Sequence, residues 1–224
     1  FNFALMTQLA MLAIWIATWF PVSFMPDRVV SKQLRRFFAS ARRLAGTGTG
    51  AGTTGMRQAL DLREVTGLPG KIRRWFAALP AAAYGDGSPS RGQDLADGMQ
   101  ALGDRLQELV AMRGAPQSAE IVRELAPDMR SWRQGIQEVI RGLYQDPQGI
   151  DTPEHRARLD AKLATLEARI ESVLRDAPAG AVSAEEFASM YRLLGAYRGV
   201  SESLARLTEH AAAMDWERLR EARF

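Results

Sequence analysis

An uncharged, hydrophobic stretch at the beginning of the chain limits its folds more than any other feature. No charged residue occurs between Phe1 and Pro26, and 18 of the 23 positions from Phe3 to Met25 are apolar. A helix of that length would be about 34 Å long, which is enough to cross a hydrocarbon core of about 30 Å. Since a segment in lipid must satisfy its own backbone hydrogen bonds, we expect residues 1–25 to form one transmembrane helix.

Two other interpretations of this stretch are weaker. A helix buried in a soluble core seldom runs so long without a charge, although its length alone allows it. A secretory signal peptide would have a basic region before a shorter apolar run, and a small-residue cleavage site after it. The sequence has neither signal. Because the chain begins with Phe1 instead of Met, we expect it to be an excerpt from a longer protein.

Positive charge is concentrated beside the hydrophobic stretch. Residues 26–92 contain 12 Lys and Arg against 4 Asp and Glu, whereas residues 93–224 contain 17 against 22. Such an excess next to a membrane helix favours the cytoplasmic side, so residues 26–224 are predicted to be cytoplasmic. A nucleic-acid-binding domain would more often spread basic residues over a face interleaved with aromatic ones, so we expect no nucleic-acid partner.

Residues 26–45 interleave cations with apolar residues and are predicted to form a basic amphipathic juxtamembrane helix. Its cations would contact anionic headgroups, each contributing about 1 kcal/mol near the surface. The alternative is a solvated basic helix packed on the domain that follows. With two aromatic anchors before it, the expected membrane-interface residues are Trp19, Phe20, Arg28, Lys32, Arg35, Arg36, Arg42 and Arg43.

Residues 46–56 are rich in Gly and Thr and are predicted to form a flexible linker. The glycines do not make a nucleotide site. A phosphate-binding loop would end in Gly-Lys-Ser/Thr and follow a hydrophobic strand, and the sequence has neither.

Residues 57–224 are predicted to form a helical bundle domain. From 57 to 84, Gly67, Pro69 and Gly70 are expected to break the chain into shorter helical pieces. Beyond them, apolar residues at steps of four and three predict about four long helices with short connections, hence an antiparallel bundle. The first of these seams is Leu95, Met99, Leu102, Leu106 and Leu109.

Helix boundaries support the same assignment. Pro127 lies inside the second long helix and is expected to kink it or split it in two. Ser183 and Glu186 have the spacing of a capping box at the start of the fourth. No stretch alternates with a period of two, so the predicted fold class is all-α: one transmembrane helix followed by the bundle.

No pattern in the sequence indicates catalysis. There is no cysteine, so thiolate chemistry is excluded, and no nucleophile motif or phosphate loop occurs. The two histidines, His155 and His210, lack the Glu-x-x-His partners of a di-iron bundle because Thr152 and Leu207 stand at those positions. We therefore expect no enzyme activity, no metal and no cofactor.

Two segments resemble a known family. The first is the junction from Phe20-Pro21 to Arg35-Arg36-Phe37-Phe38, and the second is residues 190–204 followed by Met214-Asp215-Trp216 and residues 220–224. Together they are similar to the central part of fusaric acid resistance (FUSC) family proteins, a group of inner-membrane efflux pumps. The resemblance covers about a quarter of the chain, whereas residues 46–180 match by layout only.

The resemblance implies a place and a role for this chain. FUSC-type proteins have a membrane bundle, a helical cytoplasmic domain and a second membrane bundle, so the chain would contain the last helix of the first bundle and the domain. The implied function is export of small carboxylates, aromatic ones among them, across the bacterial inner membrane. The implied partners are the lipid bilayer, other membrane helices of the same protein and a periplasmic adaptor protein.

Two rival hypotheses come from other classes of protein. One is a single-span, membrane-anchored helical scaffold or sensor with no transport role. The other is a soluble helical interaction protein in which residues 1–25 belong to the core. The apolar seams are also compatible with a homo-oligomer, because heptad-like faces can associate between chains as well as within one.

Overall fold

Helices account for nearly all of the chain that the structure describes. This computed structural model describes residues 6–8, 11–12, 15, 26–47, 55–78, 90–114, 119–147, 152–176 and 183–217. Beyond residue 25, the helices are α1 (Pro26–Gly46), α2 (Gly55–Ala78), α3 (Ser90–Arg113), α4 (Ala119–Gln145), α5 (Thr152–Asp176) and α6 (Ala184–Ala212). These ranges contain no strand, which confirms the predicted all-α class.

Four of the six helices form the centre of the bundle. α1 and α3 lie beside each other, as do α4 and α6, while α1 packs on α4 and α3 packs on α6. α2 lies against both α1 and α3, and α5 lies against both α4 and α6. Helices that are neighbours around the bundle run antiparallel, as shown by contacts such as Arg43 with Asp61 and Arg156 with Glu209, whereas α1 runs parallel to α3 and α4 runs parallel to α6. Around the bundle, in the order α1, α2, α3, α6, α5 and α4, the helices therefore alternate in direction. The four central helices also contact one another across the bundle.

The core is continuous across all six helices. Its centre is the pair of Trp132 from α4 and Tyr197 from α6, whose rings meet edge to face with centroids 4.3 Å apart. The predicted seam of α3 is buried along its full length. Since each large apolar side chain contributes about 1.5–3 kcal/mol on burial, this shared core is what holds the helices together.

The position of α1 differs from the expected juxtamembrane layer. The sequence predicts a bundle of about four long helices over residues 57–224, with residues 26–45 as a juxtamembrane helix outside it or, in the alternative, packed on it. In the structure α1 is one of the four central helices, and it buries a full apolar face. The buried residues are Val30, Leu34, Phe37, Phe38, Ala41, Leu44 and Ala45. A face of that size stabilises the chain far more in the core than it would in a headgroup layer.

The prediction that residues 57–84 break into shorter pieces is wrong for the described part, because α2 is one helix with Pro69 inside it. In a regular helix the N–H of residue 69 would bond the Val65 carbonyl, and proline cannot supply it. That carbonyl faces Gly103 of α3, where an added Cβ would lie 2.6 Å from its oxygen. The close approach and the buried side chains of Val65, Leu68 and Phe76 offset the lost bond. Pro127 likewise does not split α4.

Gly103→Ala is expected to destabilise the bundle by about 2–3 kcal/mol, because the new methyl group would collide with backbone of α2. Chemical denaturation followed by circular dichroism measures the change. Gly195→Ala is the matched control, since no described atom lies within 4 Å of its added Cβ. It should stabilise α6 by about 0.5–1 kcal/mol. Similar effects for both glycines would show that α2 and α3 can separate at little cost.

The first 25 residues are mostly outside the described part of the chain. Met6, Met11, Leu12 and Trp15 are described, lie in helical conformation, and are each more than half exposed. Among the described helices, none has the length and apolar content needed to cross a bilayer. Most of the predicted transmembrane helix, and residues 48–54 of the predicted linker, lie outside the described residues. The last two linker positions belong to α2, which begins at Gly55.

The predicted capping box of α6 is confirmed. The Ser183 hydroxyl accepts a hydrogen bond from the Glu186 backbone N–H at 3.2 Å. The Glu186 carboxylate in turn accepts a bond from the Ser183 backbone N–H at 2.9 Å. The bonds that the Ser183 N–H and hydroxyl donate to this carboxylate hold the pKa of Glu186 below its usual value. The box therefore fixes the start of α6 where the sequence predicts it.

Candidate functional site

The cations of α1 lie on two sides of the helix and have two different environments. Arg28 lies in the first turn of α1, while Trp19 and Phe20 lie outside the described residues. One group of cations faces α2 and is paired with its carboxylates. The other group borders a groove between α1 and α4. The expected membrane-interface set is thus divided by the packing of the bundle.

The side facing α2 is a polar network. Arg43 donates to both carboxylate oxygens of Asp61, at 2.6 Å and 3.0 Å, and to the Ser40 hydroxyl at 2.9 Å. Ser40 in turn donates to Glu64 at 2.6 Å, and Arg36 forms a salt bridge with the same carboxylate. Asp61 and Ser40 are buried. Arg43 therefore serves the α1–α2 contact, and 41% of its side chain stays exposed.

The network shifts the ionisation of its members. Hydrogen bonds to Asp61 raise the pKa of Arg43 above its usual value, although burial acts in the opposite direction. Burial also opposes the ionisation of Glu64, but the hydrogen bonds from Ser40 and Arg36 outweigh it, and the pKa of Glu64 lies below its usual 4.5. Both pKa shifts favour the ionised forms, Arg43 as a cation and Glu64 as an anion, so the network consists of charged side chains.

Glu64→Gln is expected to weaken the acid dependence of stability. Because the pKa of Glu64 is lower in the folded than in the unfolded chain, its carboxylate stabilises the fold fully above about pH 4.5. That contribution is lost as the pH falls through the folded value. Denaturation midpoints measured from about pH 6 to pH 2.5 should therefore fall more steeply for the wild type than for the variant.

The control for this experiment is Glu171→Gln, which removes an exposed carboxylate of α5 that forms no ion pair with the described residues. Its profile should follow that of the wild type. If the wild type and Glu64→Gln gave parallel profiles, the α1–α2 network would not be the source of acid sensitivity.

The second side of α1 borders what we name the α1–α4 groove. It has a volume of about 410 Å³ and is lined by Lys32, Arg35, Arg36, Phe38, Ala39, Arg42, Ile140, Arg141 and Tyr144. Phe38 and Ile140 are buried and form an apolar floor. The residues contributed by α1 follow one stripe, because steps of three, four and seven positions return to the same face of a helix.

The rim of the groove is cationic and carries no carboxylate. Of its five cations, Arg36 pairs with Glu64, whereas Lys32, Arg35, Arg42 and Arg141 make no ion pair within the described ranges. The Arg35 guanidinium lies over the Tyr144 ring, 5.8 Å from its centroid. Tyr144 is 48% exposed, so its ring is accessible from solvent. The groove thus combines positive charge, an apolar floor and an accessible ring.

Sequence reasoning found the α1 half of the groove but missed Arg141, Tyr144 and Ile140 from α4. The missing information was the pairing of α1 with α4, whose groove residues are about 100 positions apart in sequence. Once α1 is placed in the bundle, the last two turns of an antiparallel α4 must lie beside its first turns. No local signal shows that pairing.

The arrangement suits binding of an oxyanion more than covalent chemistry. Guanidinium groups match phosphate and carboxylate oxygens, and the groove offers no nucleophile paired with a base. Within the part of the chain that the structure describes, no group of three His, Asp or Glu residues is arranged to hold a metal ion. His155 and His210 do not belong to the groove.

Comparison with known proteins gives no relative. No protein-family model matches the chain, and no curated protein or solved structure matches it either.

Proposed function

We propose that this chain is the cytoplasmic helical domain of a bacterial inner-membrane exporter of the FUSC type, together with the membrane helix before it. The exporter carries small carboxylates, aromatic ones among them. The domain braces the two membrane halves or couples their movements. Its partners in this proposal are the bilayer, the other membrane helices of the same protein, a periplasmic adaptor protein and a second copy of itself.

The observation that carries the proposal is that the chain enters and leaves the bundle at the same end. α1 begins at residue 26, and α3, which starts at the same end as α1, is joined to the end of α6 by a hydrogen bond. This bond runs from Arg91 to the Ala213 carbonyl oxygen, at 3.1 Å. A domain between two membrane halves needs both connections at one end, and a bundle in which the chain enters and leaves at the same end meets that requirement.

The hydrophobic segment supports the same placement. The large apolar side chains at positions 6, 11, 12 and 15 are 54–69% exposed. A helix buried in a soluble core would cover such side chains, so their exposure favours a lipid environment over the soluble alternative. The groove cations of α1 begin with Lys32, six residues after the uncharged stretch ends, as expected on the cytoplasmic side.

The bundle is suited to bracing because its helices form one core. The two connections are made by α1 and α6. α1 packs against α2 and α3, which contact each other, and α6 packs against α4 and α5, which also contact each other. A displacement of α1 must therefore move α4 or open the core, and opening is costly in a close-packed interior. Movement of one membrane half would reach the other through the packed helices.

Cysteine labelling tests the cytoplasmic placement, since these 224 residues contain no cysteine. Gln107→Cys on α3 and Gln134→Cys on α4 put thiols at exposed positions. A membrane-impermeant maleimide should label them in inverted membrane vesicles and not in intact spheroplasts. Ser40 would be a poor reporter because it is fully buried. Labelling in intact spheroplasts would contradict the proposal.

An efflux assay separates the exporter from its main rival. A variant with a weakened core, such as Trp132→Ala, should lower export of an aromatic carboxylate by the protein that contains this chain. The exposed-residue variant Phe187→Ala should leave export unchanged if bracing is the role. Unchanged export in both, with normal membrane insertion, would refute bracing and coupling.

One observation favours the alternative of a membrane-anchored scaffold without transport. Phe187 and Tyr191 are each 43% exposed at the start of α6, and their ring centroids are 5.0 Å apart. This aromatic pair lies at the end of the bundle opposite to the chain connections, where a partner would be accessible. A scaffold would lose partner binding on Phe187→Ala and would show no efflux at all.

A further inference from the structure

Most cations of the α1–α4 groove form no ion pair with the described residues of the bundle. Four of its five cations have no carboxylate partner among the described residues, and they come from both helices. Like charges repel one another, so these cations favour a bound anion over an empty groove. An anion that lies between α1 and α4 would relieve that repulsion.

We propose that the α1–α4 groove binds the phosphate headgroup of an anionic membrane lipid. The inference rests on the proposed function, because it needs residues 1–25 to hold the bundle at a bilayer. Arginine forks bind phosphate oxygens in pairs of parallel hydrogen bonds, and Arg35 and Arg141 supply one fork from each helix. The groove is then a lipid site that couples α1 to α4.

The position of the groove along α1 favours a lipid source for the phosphate. Lys32 lies six residues after Pro26, which is about 9 Å of helix rise, and Arg35 and Arg36 lie about 14 Å along. The headgroup zone on each side of a bilayer is about 5–8 Å thick. If residues 1–25 span the membrane, Lys32 lies just beyond the headgroups, and long side chains on the first turns of α1, which tilt toward its N-terminal end, reach back to them.

The floor and the exposed ring favour a lipid over a small inorganic anion. Phosphate alone has no apolar part, yet the groove has an apolar floor of Phe38, Ala39 and Ile140 beneath its cations. Tyr144 is nearly half exposed beside Arg35, and tyrosine is enriched at the level of lipid headgroups. A phosphate headgroup with its glycerol carbons would use both surfaces.

The experiment uses the full chain in a nonionic detergent with an equimolar mixture of phosphatidylglycerol and phosphatidylcholine. Native mass spectrometry counts the lipids that each protein retains. The groove variant Arg35→Gln with Arg141→Gln removes two cations from the rim. The matched control, Lys71→Gln with Arg74→Gln, removes two exposed cations from the C-terminal part of α2, at the same end of the bundle.

We expect the wild type and the control to prefer phosphatidylglycerol by about tenfold, and the groove variant to lose most of that preference. All four substituted side chains are exposed, so helicity and melting temperature should stay at wild-type values, and both are measured first. Arg35→Lys with Arg141→Lys should recover part of the preference, because charge returns without the fork.

Other outcomes would overturn the inference. A wild type without lipid preference, or an equal loss in the groove variant and the control, would show that the groove has no role. Displacement of the lipid by millimolar glycerol phosphate would assign the site to a soluble phosphate ester instead. If cysteine labelling placed the bundle in the cytoplasm while the lipid preference was absent, the inference would fail and the proposed function would stand.

Discussion

Trp132→Ala should cost the chain about 3–5 kcal/mol of unfolding free energy, the largest effect we expect from a single substitution. Trp132 is fully buried at the centre of α4, against the Tyr197 ring of α6. Truncation leaves a cavity between two central helices and removes the partner of the Ser201 hydroxyl, which accepts a hydrogen bond from the indole at 3.0 Å. Denaturation monitored by circular dichroism measures the loss.

Two matched variants separate the contributions of packing and hydrogen bonding. Ser201→Ala removes the acceptor of the indole N–H and should cost about 1–2 kcal/mol, because that donor is then buried without a partner. Trp132→Phe keeps most of the ring and should fall between the two. An effect of Trp132→Ala no larger than that of Ser201→Ala would mean that the core collapses around the missing ring.

The helices and most of the core follow from the sequence because the signal is local. Steps of three and four return to one face of a helix, so the α3 seam predicts its own burial without reference to any other element. All five seam residues, from Leu95 to Leu109, are fully buried. The cap at Ser183 is local in the same way, since its partner Glu186 is three positions away.

The arrangement of the helices could not be predicted because it depends on competition between faces. α1 has both a cationic stripe and a large apolar face, and the sequence does not say which surface the apolar face will cover. The bundle places it in the centre, and the cations then divide between α2 and the groove. The sequence also does not predict that α2 continues through Pro69, because that continuity depends on Gly103 in another helix.

The end of α3 is joined to the end of α1 by a partly buried arginine. Arg113, the last residue of α3, donates to the carbonyl oxygens of Leu44 and Ala45, at 2.9 Å and 3.2 Å. Those carbonyls belong to the last turn of α1, where the helix has no N–H to offer them and carries partial negative charge. Burial lowers the pKa of Arg113, and its guanidinium lies 5.6 Å from the centroid of the Tyr197 ring.

Arg113→Met should destabilise the chain by about 2–4 kcal/mol. The substitution keeps the bulk of the side chain and removes two charge-assisted bonds, each contributing about 1.5–3 kcal/mol, while it also relieves the cost of burying a cation. Arg113→Lys keeps the charge and can satisfy only one carbonyl well, so we expect an intermediate loss. Arg206→Met, on the exposed face of α6, is the control and should stay within about 0.5 kcal/mol. A neutral Arg113→Met would show that desolvation of the guanidinium cancels its bonds, and that the carbonyls of α1 find other partners.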